Sequence, residues 1–200
     1  GLGRNLQTAF YLNLSSKTST VMDDTVKSLS TENEFGFSNE WKLKLLDPVA
    51  HAVGLALYAE VGIASNEFEL EGKVILDKKI GHLTIAFNGV YEYEFAPYYK
   101  NNKLNWESEQ KLDGLLAFAW SFGTRFHLTQ ENTFKNVLLD GKLAHSALYS
   151  GIGMSCSQDK FWLNFTVLPQ VASFKGSTNA ALNLNEYEKI QFRLLFSYMF

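Results

Sequence analysis

The feature that most constrains this chain is a period-two alternation that sorts its charges. In residues 35–45, one set reads Phe35, Phe37, Asn39, Trp41, Leu43, Leu45, and the interleaved set contains Glu40, Lys42 and Lys44. The pattern recurs in residues 53–63, 68–76, 83–95, 110–122 and 190–200. Across these six segments one set holds every charged side chain and the other holds none. Successive side chains of a strand point to opposite faces, so such segments are strands between two different solvents. Residues 6–14, 126–133, 147–156 and 161–170 repeat the pattern less cleanly, since Gln130 and Asn132 fall in phase with Phe126 and Leu128. The expectation is ten strands in one domain spanning residues 1–200.

The connections alternate in length. Short turns are expected at residues 47–52, 77–81, 123–125 and 157–160, and long loops at 15–33, 96–108, 134–145 and 171–187. The link at 64–66 is the exception, short where a long loop is due. Short turns at one end and long loops at the other are the arrangement of an antiparallel up-and-down transmembrane β-barrel. A ten-residue strand rises about 33 Å, and a tilt near 40° brings this to about 25 Å, the height of the apolar band of such barrels. Lipid also enforces a charge-free outer face, because a Lys or Arg near midplane costs about 2–4 kcal/mol. Tyr91, Tyr93, Phe95, Trp120, Phe122, Tyr198 and Phe200 fall near strand ends, where interfacial aromatic girdles belong. Pro48 is placed in a turn, Pro97 in a loop and Pro169 at a strand end, where no ladder bond is lost.

Composition enters as a check. The mean hydropathy of −0.11 looks like that of a soluble domain. It is the average of an apolar outer set and a polar inner set, so it does not oppose the barrel. A soluble β-barrel carrier would show the same alternation turned inside out. The formal net charge of −3 lacks the basic stripe of a nucleic-acid binder, and the single Cys156 excludes an internal disulfide and a multi-cysteine metal site. No apolar run reaches the roughly 18 residues of a transmembrane helix.

The tail, Ile190 to Phe200, carries Phe192, Phe196 and Tyr198 and ends on Phe200. It resembles the C-terminal β-signal of bacterial outer-membrane proteins. That resemblance implies a Gram-negative outer-membrane location with lipid and lipopolysaccharide around the barrel. It also implies insertion by the barrel-assembly machinery, with Phe200 and its strand as the recognition element. More loosely, Leu45-Leu46-Asp47-Pro48 before Val53 to Tyr58, followed by Glu69 to Glu94, resembles porin-like outer-membrane proteins, some labelled transporters of the phenol meta-cleavage type. Residues 1–5 read like a periplasmic turn, so twelve strands are expected if further strands precede them. Parity places both termini in the periplasm and the long loops outside.

Function is less constrained. The foremost reading is a porin-like channel for passive uptake of small solutes, its lumen lined by Glu40, Lys42, Glu60, Glu69, Glu71, Lys111, Asp113 and Arg193. The alternative is a closed accessory barrel within a larger outer-membrane complex, plugged by an ion network centred on Glu60, Glu69, Glu71 and Lys42. Its polar outward positions Asn39, Gln130 and Asn132 would meet protein neighbours. In that network Glu69, Glu71 and Lys73 are expected to pair with Lys42, Lys44, Lys111 or Arg193. A lipid-modifying hydrolase would need His127 with Thr129, or His145 with Ser146, and a third orienting group. Glu131 continues the His127 face, which favours a hydrogen-bonded polar stripe, and adjacent residues such as His145 and Ser146 point apart on a strand. Glu92 and Glu94 near a rim lack an evident histidine partner. His51 and His82 read as solvated turn residues, Glu67 to Glu71 as an acidic ladder, and Cys156 as a bystander. No catalytic residue, metal site or cofactor is assigned.

Overall fold

A computed structural model describes residues 3, 5–23, 26–65, 67–176 and 181–198, with side chains described for these except at 15, 17–23, 26–30 and 32. Among the described residues every element is a strand. They are β1 (Leu6–Asp23), β2 (Val26–Leu46), β3 (Gly54–Ala64), β4 (Phe68–Ile80), β5 (Leu83–Lys100), β6 (Lys103–Phe122), β7 (Phe126–Leu139), β8 (Lys142–Gln158), β9 (Phe161–Ala172) and β10 (Ile190–Tyr198). They form one antiparallel sheet in sequence order, curled into a half-barrel, with β1 and β10 as its edges. No helix of the described residues is long and apolar enough to cross a membrane, which says nothing of a barrel.

The two faces follow the alternation. Trp41, Leu57, Leu70, Phe87, Leu112, Leu128, Met154 and Phe192 are exposed on the convex face. Glu40, Glu60, Glu69, Glu71, Glu92 and Lys111 lie half-buried on the concave face. Outward side chains are widely exposed, Leu12 at 72% on β1, Leu194 at 67% on β10 and Ile152 at 64% on β8.

Three expected long loops are instead strand. β1 and β2 pair without interruption from Leu6 with Leu43 to Asp23 with Val26. β5 and β6 pair through to Lys100 with Lys103, and β7 and β8 through to Leu139 with Lys142. Residues 15–23 and 26–33 are therefore strand, and 96–108 and 134–145 are hairpin extensions closed by tight turns. Asn101, Asn102 and Asp140 take positive φ there (54°, 57° and 51°) and Gly141 takes 71°, the conformations that two-residue hairpin turns require. In the β5–β6 extension the uncharged outer set continues, with Pro97, Tyr99, Leu104 and Trp106 in phase with Phe95 and Leu112. Pro97 accordingly lies inside β5, and Pro169 lies within β9 opposite Ile190. The turn expected at 77–81 shrinks to Gly81 and His82, since β4 runs on to Ile80. The expected loop at 171–187 survives as the connection between β9 and β10.

Neighbouring strands crowd closely at β8. A Cβ on Gly151 would overlap the Val167 carbonyl oxygen and lie 2.9 Å from the Leu168 Cα. A Cβ on Gly153 would lie 2.6 Å from Thr129 Oγ1 and 2.7 Å from Thr166 Oγ1. The missing side chains let the inner faces of β7 and β9 approach across β8, where the β8–β9 register also shifts between Leu148 and Tyr149.

Candidate functional site: the concave wall

Register brings the acidic side chains of separate strands into rows. Glu40 stands opposite Glu60, Glu60 opposite Glu71, Glu71 opposite Glu92, and Glu92 opposite Lys111. This line crosses β2 to β6 on the concave face. A second row contains Glu69, Glu94 and Glu109 on β4, β5 and β6. Like charges directly opposite destabilise a sheet, so a row of four glutamates opposes stability rather than serving it.

Nearby groups offset part of the repulsion. Lys111 Nζ binds Glu92 at 2.7 Å and also contacts Glu94. Lys73 Nζ binds Glu71 at 2.6 Å and sits 4.2 Å from the centre of the Tyr58 ring. The Tyr58 hydroxyl donates to Glu60, and the Tyr11 hydroxyl donates to Glu40 at 2.8 Å. The six glutamates at 40, 60, 69, 71, 92 and 94 thus meet two ammonium groups, and the wall keeps a surplus of negative charge. Carboxylate oxygens of Glu69, Glu71 and Glu92 lie within 4.8 Å of one another, a spacing at which a cation can be shared.

The expected lumen residues all belong to this face, but the ion network differs from the expected one. Lys111 pairs with Glu92 and Glu94, not with Glu69 or Glu71. Lys42 forms no salt bridge among the described residues, and Lys44 turns to Asp47 at 2.9 Å. That contact, with the Val49 N–H donating to the Asp47 carboxylate, holds Asp47 below the usual aspartate range. Asp113 accepts from the Asn136 backbone N–H at 3.0 Å and braces the β6–β7 irregularity. Arg193 reaches Glu131 from β10 across β9 and β8, a path cleared by Gly153. A concave cavity of about 640 Å³ near the short-turn end is lined by residues including Gln7, Lys42, Ala56, Ile75 and Asp77.

The hydrolase candidates do not assemble a site. His127 Nδ1 lies 2.9 Å from Ser121 Oγ on β6, a partner the single-strand pattern could not reveal. Among the described residues no carboxylate hydrogen-bonds that imidazole, and Thr129 Oγ1 has no partner. His145 and Ser146 diverge: His145 Nδ1 faces the Tyr187 hydroxyl at 3.1 Å, while Ser146 Oγ accepts from the Phe174 N–H at 3.1 Å. On the convex face Gln130, Asn132 and Ser150 satisfy one another, with Gln130 Nε2 donating to Asn132 Oδ1 at 2.9 Å and Ser150 Oγ to the same atom at 2.9 Å. Asn39 is similarly enclosed, accepting from Trp41 Nε1 and donating to Thr8 Oγ1 and the Ala9 carbonyl. Phe192, Phe196 and Tyr198 share the outward face of β10, and Phe200 lies outside the described residues.

A family model described as "Family of unknown function (DUF6662)" matches residues 1–200. The chain belongs to this DUF6662 family. No curated protein and no solved structure matches it. The DUF6662 chain is a half-barrel with a carboxylate-lined concave face and a largely apolar convex one, on which Lys78 stands near the short-turn end of β4.

Proposed function

We propose that this DUF6662 protein is a β-barrel of the bacterial outer membrane that lets small solutes diffuse through its lumen, with a preference for cations. The observation that carries the reading is the pairing of the two faces. The convex face presents apolar side chains on every strand. Its amides at 39, 130 and 132 are closed off by their own neighbours, which suits a surface with no water to satisfy them. The concave face presents rows of glutamates with too few lysines to neutralise them. Rings of acidic side chains are a recurrent way to favour cations in a pore.

In a bilayer both sheet edges need a strand partner. With ten alternating strands β1 and β10 run antiparallel, so they can pair with each other, or with an added pair of strands, without breaking the up-and-down order. The aromatic outward face of β10 fits recognition by the barrel-assembly machinery. On this reading lipid and lipopolysaccharide surround the convex face, the short turns are periplasmic and the hairpin extensions are extracellular.

The test is planar-bilayer recording of the detergent-folded protein in a KCl gradient. Discrete openings with a reversal potential on the cation side are expected. Silent bilayers despite verified folding would sink the channel reading and leave the closed accessory barrel.

A further inference from the structure

The connection between β9 and β10 is the one expected loop that remains a loop, and its path is specific. Residues 173–175 run on alongside β8. Ser173 Oγ donates to the Ser146 carbonyl at 2.8 Å, and the Ser146 N–H donates to the Lys175 carbonyl at 3.1 Å. Gly176 then turns at φ +87°, packed so closely on His145 and Asn183 that a Cβ would lie 2.7 Å from the His145 Cβ. A side chain there is excluded by both space and φ.

Residues 181–189 return over the concave face of β8 and β9. The Gln170 side chain treats Asn183 as a neighbouring strand: its Oε1 accepts from the Asn183 N–H at 2.7 Å and its Nε2 donates to the Asn183 carbonyl at 3.2 Å. The Tyr149 hydroxyl donates to the Glu188 carbonyl at 2.9 Å, and the Gln170 N–H donates to the Lys189 carbonyl at 2.8 Å. Tyr187 packs on the cluster of Ala147, Tyr149 and Leu168 and stands edge-on to His145. Burial pushes its hydroxyl above the usual tyrosine range, so it stays a neutral partner for the imidazole.

Burial shows how firmly this segment is held. Of the five largest fully buried side chains described, Tyr149, Leu168, Asn183 and Ser146 all contact it or belong to it. Among the described residues the rest of the sheet has no comparable buried cluster. A connecting loop normally runs over the surface. This one lies on the inner wall of β8 and β9, whereas the glutamate rows belong to β2 to β6.

We infer that residues 173–176 and 181–189 of the β9–β10 connection form a restriction element of the pore, docked on the inner wall of β8 and β9, where they limit the size of the solute that passes. The inference rests on the channel reading above. Cations then pass between a carboxylate wall on one side and a docked segment on the other whose described charges, Lys175, Glu186, Glu188 and Lys189, cancel. Tyr149, Gln170 and Tyr187 hold the segment in place, so they set the size limit without touching the glutamates that set charge preference.

The experiment combines hydrogen exchange with conductance on the full chain. Two variants release the segment: Gln170→Ala with Tyr187→Ala, and replacement of residues 174–186 by a short Gly-Ser link, which removes it if the double variant folds poorly. In the unaltered protein the Ser173 and Asn183 amides should exchange slowly, and the double variant should lose that protection. Single-channel conductance in KCl should rise by about twofold or more in both variants, with a larger poly(ethylene glycol) cut-off and little change in cation preference. Fast exchange of these amides in the unaltered protein would overturn the docking. Unchanged conductance and cut-off in a variant shown to have lost protection would overturn the restriction alone. Silence in every form would remove the channel reading and the restriction with it, while exchange would still report where the segment lies.

Discussion

Neutralising the middle of the glutamate row separates function from stability. Glu60 stands between Glu40 and Glu71 on neighbouring strands, which lie about 4.8 Å apart. Two like charges at that distance repel by about 0.9 kcal/mol in a fully wet lumen and about 3.5 kcal/mol at an effective dielectric constant near 20. Glu60→Gln removes two such pairs and keeps an acceptor for the Tyr58 hydroxyl, so the variant is expected to be at least as stable as the parent. The effect on permeation has the opposite sense. A monovalent cation about 5 Å from the Glu60 carboxylate gains about 0.8 kcal/mol from it in water, and salt near 0.1 M screens this to about 0.5 kcal/mol. Local cation enrichment should therefore fall by about two- to fourfold for one neutralised carboxylate. Adding Glu71→Gln should compound the loss. The assay is the reversal potential across a tenfold KCl gradient, read together with urea unfolding in lipid vesicles. A conducting Glu60→Gln, Glu71→Gln protein with the parent reversal potential would refute the assignment of the row. A marked loss of stability would show instead that the row is a structural network.

Other expectations concern the frame. Gly151→Ala drives a methyl group into the Val167 backbone and should cost about 1–3 kcal/mol or block folding; Gly114→Ala, with nothing within 4 Å of the new Cβ, should be neutral or slightly stabilising, and vesicle unfolding curves of the two check the contrast. Leu116→Arg on the convex face should lower stability in lipid by about 2–4 kcal/mol, whereas Leu115→Arg on the concave face should cost far less. Asp47 titrates below its ordinary value because of the Lys44 contact and the Val49 N–H, so its contribution to stability is complete above the ordinary aspartate pKa. That contribution is lost as pH falls through the lowered folded value; unfolding midpoints between about pH 2 and 5 should show this acid sensitivity, and Asp47→Asn should lack it.

The two faces were legible in the sequence because each strand carries its own evidence: Leu112, Leu116 and Trp120 against Lys111, Asp113 and Ala117 need no knowledge of neighbours. The glutamate row was not, since it belongs to the register between strands. The signal was nonetheless present. A tight turn at Gly81 and His82 places residues equidistant from it opposite each other, which sets Glu71 against Glu92. The same reasoning through Ser121 and His127 finds their contact across the turn at 123–125. The hairpin extensions were misread as loops because residues 15–33 are rich in Ser and Thr and residues 96–108 hold Pro97, Asn101 and Asn102, which mark turns, although Tyr99, Leu104 and Trp106 keep the outward phase. The inward path of residues 181–189 depends on Gln170 imitating a strand edge, which no periodicity encodes.

The central claim is that the two faces of this sheet meet different solvents, lipid outside and water within. Site-directed spin labelling tests it most directly, on a Cys156→Ser background with single nitroxides at Leu112, Leu116 and Trp120 and at Leu115, Ala117 and Ala119, in lipid vesicles. Collision with oxygen should dominate at the first three positions, and collision with a water-soluble nickel complex at the second three, with a period of two along β6. Nickel access equal at both sets, or greater at Leu112, Leu116 and Trp120, would contradict the account.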